Sequence, residues 1–291
     1  MNDSINTVYL NGEYLPVEQA KVSVLDRGFL YGDGVYEVIP VFHGRALRLQ
    51  QHLKRLDNSL GRISLDNPLR HEQWRHIFDT LLDKNPGDDR AIYLQVSRGV
   101  YPKRDLSIKQ DYPATVFVMI MPVSKPDVAR VSTGISAITV EDFRWQACDI
   151  KSISLVANVM LKQQAAAAGV EDAILIRGGH VTEGTASNVF IVKDGVLITP
   201  PVGNQLLPGI TRDLVIEIAV NGNIIVEERD IREAELFSAD EVWMTSSTRE
   251  IAPVISLDGE PVGDGRPGPV WQKVMALYQQ CKDDLKKGNI S

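Results

Sequence analysis

Cysteine is scarce in this chain: Cys148 and Cys281 are the only two among 291 residues, and they lie far apart. No disulfide framework or cysteine-based metal site can be built from them, so a reduced, soluble, cytoplasmic protein is expected. The five histidines (His43, His52, His71, His76, His180) show no HExxH or similar pairing, which leaves metal catalysis without support. There is no GxGxxG, no Walker loop and no GxSxG. No window reaches the length of a membrane span, and the opening MNDSINTVYLNGEYL lacks a basic segment followed by an apolar one. Surplus positive charge is missing too. With a formal net charge of −7, broad binding to nucleic acid or to a membrane surface is not expected, because that needs clustered Lys and Arg. An anionic small ligand stays open, since a few local donors suffice to hold one.

What is present is an ordinary globular composition, 44% hydrophobic and 24% charged. A chain of 291 residues is long for one core and comfortable for two domains. Thr7–Leu10 and Glu13–Leu15 flank Asn11-Gly12, a hairpin signal. Val35–Phe42 reads as a strand turned by His43-Gly44. Leu49, Leu53, Leu56, Leu60 and Ile63 recur at spacings of four and three, predicting a helix over about 48–63. A second helix is predicted over His71–Lys84, stopped by Asn85-Pro86-Gly87. Ala91–Ser97 and Thr115–Met121 suit buried strands.

Pro122-Val-Ser-Lys-Pro126 interrupts helix and sheet alike and is the linker candidate. It divides a smaller N-terminal domain, 1–121, from a larger cofactor-binding domain, 127–291, with 122–126 between them. Beyond it, Val131–Val140, Ala173–Arg177, Asn188–Lys193, Val196–Thr199, Asp240–Thr245 and Val254–Leu257 read as strands. Leu155–Ala168, Thr211–Val220 and Val270–Lys286 read as helices. The fold class is α+β, two domains with mixed sheets and flanking helices.

Several segments carry possible chemistry. In Cys148-Asp149-Ile150-Lys151-Ser152, a lysine beside small polar residues becomes a nucleophile towards aldehydes if burial strips its charge; a solvated loop lysine is the commoner case. In Val181-Thr182-Glu183-Gly184-Thr185-Ala186-Ser187-Asn188, a carboxylate is followed by small residues that let a flat ring approach the backbone, although a polar turn reads the same way. Leu207-Pro208-Gly209-Ile210-Thr211-Arg212 opens a helix whose unpaired N–H groups favour an anion, or are simply capped by Thr211. Thr245-Ser246-Ser247-Thr248 offers four hydroxyls to a phosphate or to its own turn. Arg55 lies on the polar side of its helix with His52, Ser59 and Arg62, the pattern of a solvated face, yet its fork also matches phosphate. Tyr36 and Val38 share a strand face that suits a substrate pocket or a core.

In their order and wording these segments are specific. Asp26-Arg27-Gly28-Phe-Leu-Tyr-Gly32-Asp33-Gly34-Val-Tyr36-Glu37 and His52-Leu-Lys-Arg55-Leu56 closely resemble the N-terminal domain of class IV (fold type IV) aminotransferases. Cys148-Asp149-Ile150-Lys151-Ser152, Val181-Thr182-Glu183-Gly184, Pro208-Gly209-Ile210-Thr211-Arg212 and Thr245-Ser246-Ser247-Thr248 resemble their second domain. The likeness runs from about Tyr9 to about Gly265, and its flavour is that of the D-amino-acid (D-alanine) transaminases.

The resemblance implies pyridoxal 5′-phosphate as cofactor, with Lys151 as Schiff-base lysine and proton shuttle and Glu183 facing the pyridine nitrogen. It implies that Arg55, Leu207, Ile210, Thr211, Ser246 and Ser247 belong to the cofactor-binding set and that Tyr36 lies near the substrate. It further implies amino-acid and 2-oxo-acid substrates and a homodimer. There is one departure. The Arg-x-His pair that traps the substrate carboxylate in the best-known D-amino-acid transaminases is reduced here to Arg104, if Lys103 counts as an insertion, with Leu106 at the histidine place. Arg98 is a second candidate for that carboxylate, although its place near a strand end suits a structural role equally. The reading is transamination of a D-amino acid such as D-alanine with a 2-oxo acid such as 2-oxoglutarate. Aminodeoxychorismate lyase, branched-chain L-amino-acid transamination and (R)-amine transamination are alternatives on the same fold, and an inert cofactor-binding protein is the alternative from another class.

Overall fold

A computed structural model of the chain describes residues 7–108, 112–123 and 133–289. The chain folds as two compact units. The first takes Met1–Ser124 with Ile150–Ser154 and Leu285–Ser291; the second takes Lys125–Asp149 and Leu155–Asp284. Of the proline-bounded segment 122–126, Pro122 is the last residue of a strand and Val123 is described, while 124–126 lie outside the described residues.

The first unit is a six-stranded sheet with helices against it. Strands β1 (Thr7–Leu10) and β2 (Glu13–Pro16) form the expected hairpin, with positive φ at both Asn11 (49°) and Gly12 (102°), as a tight two-residue turn requires. A short helix α1 (Arg27–Tyr31) follows, capped by the Asp26 carboxylate at Gly28 N–H and closed by left-handed Gly32. Strands β3 (Gly34–Phe42), β4 (Arg45–Ala46), β5 (Asp89–Ser97) and β6 (Thr115–Pro122) complete the sheet in the order β2-β1-β6-β5-β3-β4, antiparallel throughout. Helices α2 (Leu49–Arg62) and α3 (His71–Lys84) bury Leu53, Leu56 and Leu60, and Trp74, Phe78 and Leu81. Each such side chain contributes about 1.5–3 kcal/mol.

The second unit is a nine-stranded mixed sheet. Its strands are β7 (Ile135–Glu141), β8 (Asp172–Arg177), β9 (His180–Gly184), β10 (Asn188–Lys193), β11 (Val196–Thr199), β12 (Val226–Glu228), β13 (Glu241–Ser246), β14 (Glu250–Leu257) and β15 (Glu260–Pro261). They run in the order β12-β11-β10-β13-β14-β7-β8-β9, with β15 on β14. The pairs β11–β12, β14–β7 and β7–β8 are parallel. Helices α4 (Val156–Ala167), α5 (Ile210–Asn221), α6 (Glu233–Ser238) and α7 (Pro269–Lys287) follow the expected segments, α6 excepted. Strand β8 is buried on both faces. Ile174 and Ile176 join one apolar cluster, while Ala173 and Leu175 pack with Leu161 and Ala165 of α4, which is why the strand reads as a continuous apolar run.

Two expectations are corrected. The strand predicted from Val131 starts at Ile135: residues 131–132 lie outside the described residues, and at Gly134 (φ 76°) a Cβ would meet Ile255 Cγ2 at 2.3 Å. The segment 181–188, for which a polar turn is one of two readings, begins as the buried strand β9 and turns only at 185–187. Its polar side chains are satisfied by partners distant in sequence, which hydrophobic alternation cannot register.

Candidate active site

In the first unit the lysine segment folds onto β3. The Tyr36 N–H donates to the Lys151 carbonyl (2.9 Å), the Ile153 N–H to Gly34 O (3.1 Å), and the Lys151 N–H to Ser59 Oγ (3.2 Å). The Lys151 Nζ then stands 4.2 Å from the centroid of the Tyr36 ring, which stacks on Tyr93 at 5.8 Å. Burial and the neighbouring Tyr36 hydroxyl push the Tyr93 phenol up to about 12, so the Tyr93 phenol stays neutral at working pH.

The polar side of α2 is not solvated. His52, Arg55 and Ser59 are buried, and only Arg62 of the expected polar set is exposed. The partner of His52 and Arg55 is Glu37 on β3, fully buried, which accepts from Arg55 Nε (2.7 Å) and Nη2 (2.8 Å) and contacts His52 Nδ1 at 2.8 Å; Ser59 takes the Lys151 N–H instead. Such a bidentate fork fixes the guanidinium plane as well as its charge. Burial lowers the His52 pKa, with the Arg55 and Lys151 charges acting the same way and Glu37 opposing.

The two arginines offered for a substrate carboxylate part company. Arg98 is buried and its donors are spent on Asp33 (2.8 and 3.1 Å), Ile63 O (2.6 Å) and Ser64 O (3.0 Å). Four of its N–H groups are thus engaged within the first unit, the pattern of a structural arginine. Arg104 is exposed, its guanidinium 5.4 Å from the Tyr31 ring centroid.

In the second unit Glu183 is buried on β9. One oxygen meets Arg144 Nη1; the other accepts the Leu207 N–H (3.0 Å), with Asn188 Nδ2 at 3.5 Å. Asn188 also donates to Leu207 O (2.8 Å). Arg144 is held in turn by Asp142 through Nε and Nη2 (2.9 Å each), and Asp142 also takes Thr182 Oγ1 (2.8 Å) and Arg177 (3.0 Å). Burial pushes the Glu183 carboxyl up, against the Arg144 charge and the Leu207 N–H. Burial would lower the pKa of Arg144, but Asp142 and Glu183 override it and raise it. Arg144 is therefore a fixed positive charge. Helix α5 begins at Gly209 without a side-chain cap, and Ile210 and Thr211 are its first two residues, both buried. Ser246 and Ser247 follow at the end of β13, partly exposed.

The sequence pattern of the family described as Amino-transferase class IV matches residues 34–257. The chain belongs to the class IV aminotransferases. It is 40% identical over 276 residues to a D-alanine aminotransferase of Bacillus licheniformis, covering 94% of this chain and 95% of that one. Among solved structures it is similar to a branched-chain aminotransferase from Thermoproteus uzoniensis with norvaline (TM-score 0.87, 30% identity, covering 96% and 95%). It is also similar to the PLP-bound form of a hypothetical aminotransferase from Mycobacterium tuberculosis (TM-score 0.83, 27% identity, covering 98% and 100%). As a class IV aminotransferase the chain is a pyridoxal-phosphate-dependent enzyme of the fold expected from its sequence.

The second unit fits that cofactor. The Ser187 and Thr245 hydroxyls are buried with no hydrogen-bond partner among the described residues. The first N–H groups of α5 lack intrahelical carbonyls. At Gly209 a Cβ would meet Asn188 Oδ1 at 2.0 Å, so nothing larger leaves the α5 entry and the Glu183 neighbourhood as they are. Nothing in the sequence singles out Arg144, a lone arginine after Asp142-Phe143. Glu37 stands there only as the last letter of a motif. Their importance comes from whom they meet.

Glu37 makes a testable pH signature. Burial alone would raise its pKa; Arg55 and His52 bring it from 4.5 to about 2. A depressed folded value stabilises the protein above the unfolded pKa and loses that stabilisation as pH falls through the folded one. The shift corresponds to about 3 kcal/mol at most. In urea unfolding, Glu37→Gln is expected to lie well below the parent at pH 6 and to converge on it between pH 4.5 and 2. Parallel curves over that window would show that the pair does not titrate with folding.

Proposed function

We propose that this class IV aminotransferase exchanges the amino group of a D-amino acid, D-alanine for example, with a 2-oxo acid such as 2-oxoglutarate. The observation that carries the reading is the 40% identity, over nearly both full lengths, to a D-alanine aminotransferase. When bound, pyridoxal phosphate supplies the electron sink for negative charge at the substrate Cα. In this reading the Lys151 amine binds the cofactor and then carries the proton at Cα, with the Tyr36 ring beside it. Glu183, held by Arg144 and Asn188, keeps the ring nitrogen protonated. Arg55, the N–H groups of Ile210 and Thr211, and Ser246 and Ser247 hold the phosphate, with Leu207 serving through the backbone N–H that orients Glu183.

Arg104 takes the substrate carboxylate. Arg104→Ala is expected to raise KM for amino acids about 10- to 100-fold, the worth of a charged hydrogen bond, with cofactor affinity nearly unchanged. Arg98→Ala is expected to act on stability instead, by about 1–3 kcal/mol, because the Ile63 and Ser64 carbonyls lose their donor while Asp33 keeps Arg27. Michaelis kinetics and urea midpoints on the two variants check the division; a KM effect confined to Arg98→Ala would reverse the assignment.

Two copies of the chain form the working enzyme. In the second unit Val156, Val159 and Met160 are exposed at spacings of three and four along α4, an apolar stripe that a partner subunit would cover. A cytoplasmic setting accords with the scarcity of cysteine, two residues far apart in the sequence.

The test is the absorbance spectrum of the purified protein before and after D-alanine or L-alanine. Conversion of the visible band by D-alanine alone supports the reading. Conversion by L-amino acids alone would favour branched-chain transamination, which the Thermoproteus uzoniensis neighbour keeps in view.

A further inference from the structure

One carboxylate outside the groups assigned above touches both cofactor-facing segments of the second unit. Asp172, the first residue of β8, is 3% exposed. Its Oδ1 accepts the Ala173 N–H (2.9 Å) and the Thr185 hydroxyl (2.5 Å). Its Oδ2 meets the Arg249 guanidinium and Lys162 Nζ (3.2 Å). A buried carboxylate is stable only when its oxygens are filled, and these are filled from three separate stretches of chain.

Two of those stretches carry the proposed cofactor residues. Thr185 lies two positions beyond Glu183, and its carbonyl accepts Asn158 Nδ2 (2.8 Å), so the residue is fixed at both ends. Arg249 lies two positions beyond Ser247, and its backbone N–H donates to Ser246 Oγ (3.2 Å). The side chain that Asp172 holds therefore belongs to the residue that aims the Ser246 hydroxyl. The next residue, Glu250, is buried at φ 60° and tied to Lys282 and to Gln279 (2.8 Å). A turn of four hydroxyl residues has many ways to satisfy itself locally; ion pairs at the two residues that follow it select one.

We propose that Asp172 is a positioning residue that sets the spacing between the Glu183 end and the Ser246–Ser247 end of the pyridoxal phosphate site. The proposal rests on the cofactor reading above. It explains why a carboxylate sits at the head of a strand whose following residues are apolar.

The test is the dissociation constant of pyridoxal phosphate from resolved apoprotein, by absorbance titration, alongside the thermal midpoint of each apoprotein. Asp172→Asn keeps the shape and removes the charge. It is expected to weaken cofactor binding about tenfold, the scale of one charged hydrogen bond. Thr185→Val and Arg249→Ala each remove one arm and leave the core intact, so they serve even if the Asp172 variant folds poorly. Each is expected to weaken binding with a nearly unchanged midpoint, and the double variant by less than the product of the two, because both arms end on one carboxylate. Arg249→Lys should restore most of the affinity. Unchanged affinity in both single variants, or multiplicative effects in the double, would overturn the proposal. Failure of the unaltered protein to bind the cofactor would remove the cofactor reading and this proposal together, and shows in the parent titration alone.

Discussion

Replacing Lys151 with alanine is expected to lower turnover by at least about 10⁴-fold, since the variant loses both the amine that binds the cofactor and the group that moves the proton. The fold should survive. The backbone bonds at this position, to Ser59 Oγ and from the Tyr36 N–H, do not involve the side chain. The Nζ makes its close contact with the Tyr36 ring, 4.2 Å from its centroid. Steady-state rates with D-alanine, together with the thermal midpoint of the apoprotein, separate chemistry from stability. Full activity in this variant would remove the centre of the mechanistic reading.

Glu183→Gln is expected to have the second largest effect, a loss of about 10²- to 10³-fold in turnover, the scale for removing one preorganised electrostatic partner. The amide keeps an oxygen for the Leu207 N–H but no longer offers a negative charge to a ring nitrogen. Arg144 retains Asp142, so its charge is still compensated, and the loss of stability should be modest beside the loss of rate. Single-turnover rates with saturating cofactor measure it. A rate equal to the parent's would mean that the ring nitrogen is served by another group.

Much of the secondary structure was legible because its causes are local. Helix α3 runs over His71–Lys84 as predicted, since an apolar period meets a hard stop at Asn85-Pro86-Gly87. The hairpin at Asn11-Gly12 and the strands Asn188–Lys193 and Val196–Thr199 were equally plain. Strand β9 was not, because Thr182 and Glu183 look like turn residues until Asp142 and Arg144 arrive to satisfy them. The polar side of α2 misled for the same reason: His52 and Arg55 meet a glutamate on β3, and Ser59 takes the Lys151 N–H.

By itself, then, the sequence determined the α+β class, the position of most elements and, through the order of its motifs, membership of the class IV aminotransferases. Periodicity, turn chemistry and motif order are properties of neighbours in the chain. Only the tertiary structure decided which charged groups lie inside and with whom. It gave Arg98 to Asp33 and left Arg104 exposed, set Arg144 behind Glu183, and made Asp172 the meeting point of Thr185 and Arg249. Those pairings join residues up to 77 positions apart, and the energy of a buried charge depends on its neighbours in space.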